Sequence, residues 1–226
     1  MLPTVEQVHR LAGACERFRD AKAPTGYPTG LALCVVDSIQ STGVTYTSVE
    51  NVVARYREFR RSRDRDAFTD GAPELAGTFV EIGGPDAWAE RIGNRNKVST
   101  RTGAPLKAVA IELAAHTLIE QSVATTHDLR LAVEDPARLG EIRASWLRIP
   151  GQRSGITWHY LQMLAGIQGV KPDRMIIRFV ADSLNLPRRR VTSQFALAAV
   201  LSAADEMKMC PTDLDHGIWQ WQRRRN

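Results

Sequence analysis

The residues from Ile149 to Asp173, IPGQRSGITWHYLQMLAGIQGVKPD, carry the clearest chemistry in the chain. Pro150-Gly151 turns the backbone after a helical run, an apolar helix follows, and a lone carboxylate, Asp173, stands before Met175-Ile176-Ile177. A tight turn between two helices points backbone N–H groups outward, where they can hold a phosphate. Pro150, Gly151, Gln152, Arg153, Ser154 and Gly155 are therefore candidate phosphate contacts, with Lys171 as a further basic contact. A carboxylate near a phosphate-anchored sugar can stabilise positive charge on that sugar and orient or deprotonate a water. The plainer role for Asp173 is to cap the helix that starts near Arg174, and one Asp can do both.

A second cluster lies upstream. Asp37-Ser38-Ile39-Gln40-Ser41-Thr42 follows an apolar run and precedes a segment with Val49 and Val52-Val53. It reads as an ordinary helix end and turn, with Gln40, long and hydrogen-bonding at its tip, as a candidate contact residue. Tyr46, Trp88, Trp158 and Tyr160 are candidate faces for stacking on a flat ring, or simply core.

Together these segments resemble the helix-hairpin-helix Gly/Pro-Asp (endonuclease III-like) DNA glycosylase superfamily. Ile149-Pro150-Gly151 and the spacing to Asp173 resemble its hairpin and carboxylate, and Ser38-Ile39-Gln40-Ser41-Thr42 resembles its Ser-x-Gln-x-Thr segment, which implies that Gln40 fills the gap a flipped nucleotide leaves in the stack. A looser likeness runs from Asn94 to Leu118, so that the resemblance spans roughly Leu31 to Asp182. It implies an all-α, two-lobed fold. The helical barrel would take residues 38–182, with the hairpin at 149–156, and the second lobe 1–37 plus 183–226. The implied activity is excision of a modified base by Asp173, which leaves an abasic site in double-stranded DNA.

The chain also departs from the pattern. Gln152-Arg153 stand where Val-Gly is usual, and Gly155 falls where bifunctional members carry a nucleophilic Lys. With no amine there, a Schiff base lacks its nucleophile, so a monofunctional glycosylase without lyase activity is expected; Lys171 is the rival amine nearby. No iron–sulfur cluster is expected, because Pro211 to Trp219 carries the wrong ligands, and no metal is expected at His216; a monovalent cation at the hairpin is compatible with the resemblance. The departures set the chain apart from housekeeping repair enzymes. The chain resembles related phage-defence glycosylases, and that resemblance implies a bulky substrate such as glucosylated hydroxymethylcytosine of phage DNA, an antiviral role. The alternatives are repair of alkylated or oxidised bases, a catalytically inactive DNA-binding relative, and a helical interaction protein that binds no nucleic acid.

Composition sets wider bounds. The 226 residues hold 43% hydrophobic and 24% charged side chains, ordinary globular values. The net charge is +5, and 25 of the 30 basic residues are Arg, which suits forked contacts with phosphate. Cys15, Cys34 and Cys210 are widely spaced, which argues against a disulfide framework or a Cys-only metal site. No apolar run has membrane-spanning length and no leader pattern appears, so a cytoplasmic monomer is expected. Helical periodicity marks Val5 to Ala21, Leu31 to Ile39, Val49 to Arg61 capped by Thr47-Ser48, Leu106 to Gln121, Asp128 to Val133, Pro136 to Trp146, Asp173 to about Leu184, Thr192 to Met207 and a last helix from Pro211. The Leu106 to Gln121 helix would bury Val109, Leu113, Leu118 and Ile119. Trp219 and Ile218 would pack against the N-terminal helix, and the Arg57 to Arg65 run reads as a solvated face.

Overall fold

Helix signals recur along the whole chain, and the computed structural model, which describes residues 2–225, is all-helical. The helices are α1 (Val5–Cys15), α2 (Leu31–Gln40), α3 (Tyr46–Arg61), α4 (Ala72–Ile82), α5 (Pro85–Arg91), α6 (Lys107–Glu120), α7 (Thr126–Val133), α8 (Pro136–Arg148), α9 (Ile156–Leu164), α10 (Arg174–Leu184), α11 (Ser193–Glu206) and α12 (Pro211–Arg223). Extended pairing among the described residues is limited to one antiparallel bridge, Lys97 to Leu106. Side-chain caps start several helices: Thr4 before α1, Asp135 before α8 with Pro136 next, and Thr192 before α11. No helix among the described residues is long and apolar enough to cross a membrane.

The chain packs as two units. The first takes the residues up to Thr25 and those from Gln168 onward; the second takes Gly26–Ile167. This division differs from the expected 38–182 barrel. The apolar half of α2, Leu31 to Val36, is wholly buried in the core of the second unit and cannot be separated from it at Ser38. Likewise Val170, Ile176 and Phe179 belong to the core of the first. Asp173 is therefore a residue of the first unit, and the hairpin belongs to the second.

In the first unit, α1, α10, α11 and α12 enclose Leu11, Cys15, Val180, Ala199, Val200, Leu214 and Ile218. Phe18 lies 5.5 Å from the Phe179 ring and meets Trp221 edge-on at 6.4 Å. Ile218 is buried as expected, but Trp221, rather than Trp219, turns toward this core. The Trp219 ring stacks on His216, which is its neighbour one turn back on α12.

In the second unit, α2 is buried along its entire length and contacts α3, α4, α6 and α9. The α6 helix does not present the expected stripe, since Leu113 and Ile119 are exposed. Its inner surface is Ala108, Ala110, Ile111, Ala114, Ala115 and Leu118, because small side chains let α2, α4, α5 and α8 approach it together. Helix α3 begins at Tyr46 with Thr45 as N-cap, a turn earlier than Thr47-Ser48 predicts. The Arg57 to Arg65 run is not one solvated face either. Arg60 is buried and grips Asp70 with Nε at 2.6 Å and Nη2 at 2.9 Å, while the Tyr56 hydroxyl donates to Asp70 at 2.9 Å. The Asp70 carbonyl accepts from Ala32 N at 3.0 Å, so this brace ties the end of α3 to the start of α2. Truncating Asp70→Ala leaves a buried guanidinium unpaired and is expected to cost about 3 kcal/mol in denaturant unfolding. A loss below about 1 kcal/mol, the range of exposed pairs, would show that the brace is a surface ion pair in energetic terms.

Candidate active site

The hairpin between α8 and α9 is built from two left-handed glycines. Gly151 (φ +81°) turns the chain, and Gly155 (φ +74°) is the N-cap of α9. Gly151 is required twice over, since a Cβ there would lie 2.6 Å from the Val98 Cβ. That close approach seats the Asn94 to Pro105 loop, pinched by the bond from Val98 N to Pro105 O at 3.0 Å, directly on the hairpin. Arg153 and Ser154 project to solvent at the tip, and the Arg143 guanidinium lies beside Gly155. Lys97 and Arg101 on the loop are also exposed, so the hairpin carries a basic rim.

Gln152 departs from its expected place. It is 2% exposed and faces inward. Its Nε2 donates to Pro150 O at 3.0 Å, and its Oε1 accepts the Thr157 hydroxyl at 2.6 Å; Thr157 in turn accepts the Trp146 indole N–H at 3.1 Å. A residue expected to touch phosphate therefore closes the turn from within, work that its amide can do because it is a donor and an acceptor at once.

Asp173 caps α10. Its Oδ1 accepts from Met175 N at 2.7 Å and from Ile176 N at 3.3 Å, and the side chain is partly exposed. The turn before it is fixed by a second carboxylate that the sequence analysis missed. Asp215 of α12, 7% exposed, accepts the Lys171 amide N–H at 2.8 Å. Burial pushes the Asp215 carboxyl up to about 8; the Lys171 N–H opposes this shift, and the Asp173 charge reinforces it. Asp215 was legible only as a residue of a last helix, because its partner lies 44 positions away.

The aromatic candidates separate into two groups. Trp88 and Trp158 are interior side chains. Trp88 stacks on Phe79 at 4.8 Å and donates to Thr78, and Trp158 packs against Trp146 at 5.9 Å, so neither offers a face to a ligand. Tyr160 converges instead on Asp37, together with Tyr27, and Tyr46 lies near both phenols. Tyr27 donates to Asp37 Oδ2 at 3.0 Å, and the Tyr160 hydroxyl bonds the same carboxylate. Burial first, then the Asp37 charge, holds both phenols well above their ordinary range, so at neutral pH both are hydrogen-bond donors. Asp37 is 2% exposed and was passed over in the sequence, although an acid inside the apolar run LALCVVDSIQ is itself a signal.

Gln40 also departs from expectation. At 1% exposure it is not placed to fill a gap in DNA. Its Oε1 accepts from Asn94 at 3.2 Å and its buried Nε2 has no partner. Among the described residues, no group of three or more His, Cys, Asp or Glu side chains is arranged to hold a metal ion.

Asp215 supplies a pH test. Its folded-state value lies above the ordinary carboxyl value of the unfolded chain, so between about pH 4 and pH 8 the folded protein holds a proton that the unfolded chain has released. This contribution is fully present at low pH and is lost as pH rises through that window. Asp215→Asn keeps the acceptor for the Lys171 amide and removes the titration. Thermal melts are expected to show the variant gaining on wild type steadily from pH 4 to pH 8; parallel pH profiles would show that Asp215 is ionised without penalty.

Neither the curated proteins nor the solved structures include a match to this chain. One family model, described as a domain of unknown function (DUF8548), matches residues 9–223, and the chain belongs to that family.

Proposed function

We propose that this protein is a monofunctional DNA glycosylase that excises a modified base and leaves an abasic site. The observation that carries this reading is Asp173 itself, a partly exposed carboxylate whose two backbone bonds are both made by one oxygen, Oδ1, and whose turn is locked by Asp215. In the reaction, water adds to the anomeric carbon as the base departs with its electron pair and is protonated. Asp173 stabilises the cationic sugar and takes a proton from the incoming water. The hairpin, with its exposed tip at Arg153 and Ser154 and its basic rim, positions the phosphate backbone without reading sequence. Gly155 at the start of α9 supplies no amine for a Schiff base, which supports hydrolysis without strand cleavage. Glucosylated hydroxymethylcytosine of phage DNA is the first substrate to test, with alkylated and oxidised bases next.

Asn caps helices as well as Asp does, so Asp173→Asn separates chemistry from folding. Scored as alkali-labile sites on unmodified, alkylated, uracil-containing and glucosylated phage DNA, the variant is expected to lose at least about 100-fold in rate while its melting temperature and DNA affinity hold. Full activity in the variant would remove Asp173 from the mechanism. DNA binding by wild type with no abasic sites on any substrate would leave a binding module. Arg153→Ala is expected to weaken DNA binding uniformly across sequences and to reduce the slope of log K against log salt by about 0.9, the value for one lost phosphate contact. An unchanged slope would place the phosphate elsewhere.

A further inference from the structure

The inner end of α2 holds three polar side chains in an otherwise apolar helix: Asp37, Ser38 and Gln40. Ser38 is satisfied locally, donating to Val35 O at 3.1 Å. Asp37 and Gln40, three residues apart, lie on one helix face. On that face stand a carboxylate bonded by the Tyr27 and Tyr160 hydroxyls and an amide N–H₂ that is buried without an acceptor. A buried donor left unmade costs about 1–3 kcal/mol, so it is rare unless something outside the chain completes it. Tyr27 and Tyr160 are partly exposed, so the aromatic side of the cluster reaches the surface, while Asp37 and Gln40 are enclosed behind it and a ligand reaches them only as these rings move aside.

We infer that Asp37, Gln40, Tyr27 and Tyr160 form a recognition site for the hydrogen-bonding edge of an amino-bearing nucleobase. Asp37 accepts an N–H of the exocyclic amine, and Gln40 Nε2 donates to the neighbouring ring nitrogen or carbonyl. The match is one of geometry and type. Cytosine and adenine present a donor beside an acceptor on one planar edge, and an acidic acceptor beside an amide donor is its complement. The tyrosine rings suit a flat heterocycle, since aromatic faces stack on bases and the hydroxyls hold the carboxylate in place. This site rests on the glycosylase reading for its biological substrate, but its chemistry is testable without DNA.

Free nucleosides are the probe, so that the hairpin plays no part. The full chain is titrated with deoxycytidine and deoxyadenosine, each against its N,N-dimethyl counterpart, which keeps the ring and loses the amine donor. Tyrosine ring signals are followed by NMR. Shifts of Tyr27 and Tyr160 are expected with at least one amino nucleoside and at least tenfold weaker apparent binding with its dimethyl form. Gln40→Met removes the orphan N–H₂ at nearly constant shape but also the acceptor for Asn94, so a small drop in melting temperature is expected together with a nucleoside affinity that falls about tenfold. A purely structural Gln40 predicts the drop in melting temperature with unchanged nucleoside affinity. Tyr160→Phe serves as a second variant in place of Asp37→Asn, whose buried charge makes folding the weaker readout. No shifts in wild type, equal shifts from amino and dimethyl nucleosides, or full affinity in both variants would overturn the site. Shifts that persist when Asp173 proves inert would sink the glycosylase reading alone; abasic sites without these shifts would sink this site alone.

Discussion

The ammonium group of Lys107 is enclosed in the second unit, 1% exposed, and donates to the carbonyls of Gln40 at 2.8 Å and Thr42 at 2.6 Å. This contact joins the end of α2 to the start of α6. A buried cation is tolerable only when its desolvation is repaid, and the last carbonyls of a helix are well suited to do so, being unpaired acceptors at the negative end of the helix dipole. Lys107 starts α6 and terminates α2 with the same side chain. It thereby sets the position of the α2 end, where Asp37 and Gln40 stand.

Polar interactions elsewhere in the second unit follow the same logic. Asp70 binds Arg60 and Tyr56 with its side chain and the start of α2 with its carbonyl. Gln152 closes the hairpin by bonding Pro150 and Thr157, and Thr157 reaches Trp146 on α8. In each case one buried residue joins neighbouring segments, Asp70 linking α3 to the start of α2 and Gln152 linking the hairpin to α9. Apolar packing gives these helices their cohesion, while the buried polar groups select one arrangement, since each is costly in any packing that leaves it unpaired. Gln40 Nε2 departs from this pattern, being a buried donor without an acceptor, and the proposed nucleobase would supply one.

In the first unit the corresponding element is the Lys171 to Asp173 turn. Asp215 holds its backbone and Asp173 caps the helix that follows. The two acids differ in kind: Asp215 is enclosed and drawn toward its neutral form, whereas Asp173 is partly exposed.

The sequence alone determined the helical class, nearly every helix, the hairpin at Pro150-Gly151 and the capping place of Asp173. All of these are local: periodicity, caps and turn residues act within a few positions of one another. The tertiary structure decided the rest. Leu113 and Ile119 read as core on a helical wheel, yet α6 turns its alanines inward because several helices press on it at once. Trp88 and Trp158 read as candidate faces and became core, while Asp37, an acid inside an apolar run, and Tyr27 met Tyr160 across more than a hundred residues. Gln40 carried the side chain expected of a DNA contact and was turned inward toward Asn94, 54 positions away. Which partner a polar side chain meets depends on distant segments brought together by packing, and no local pattern encodes that meeting.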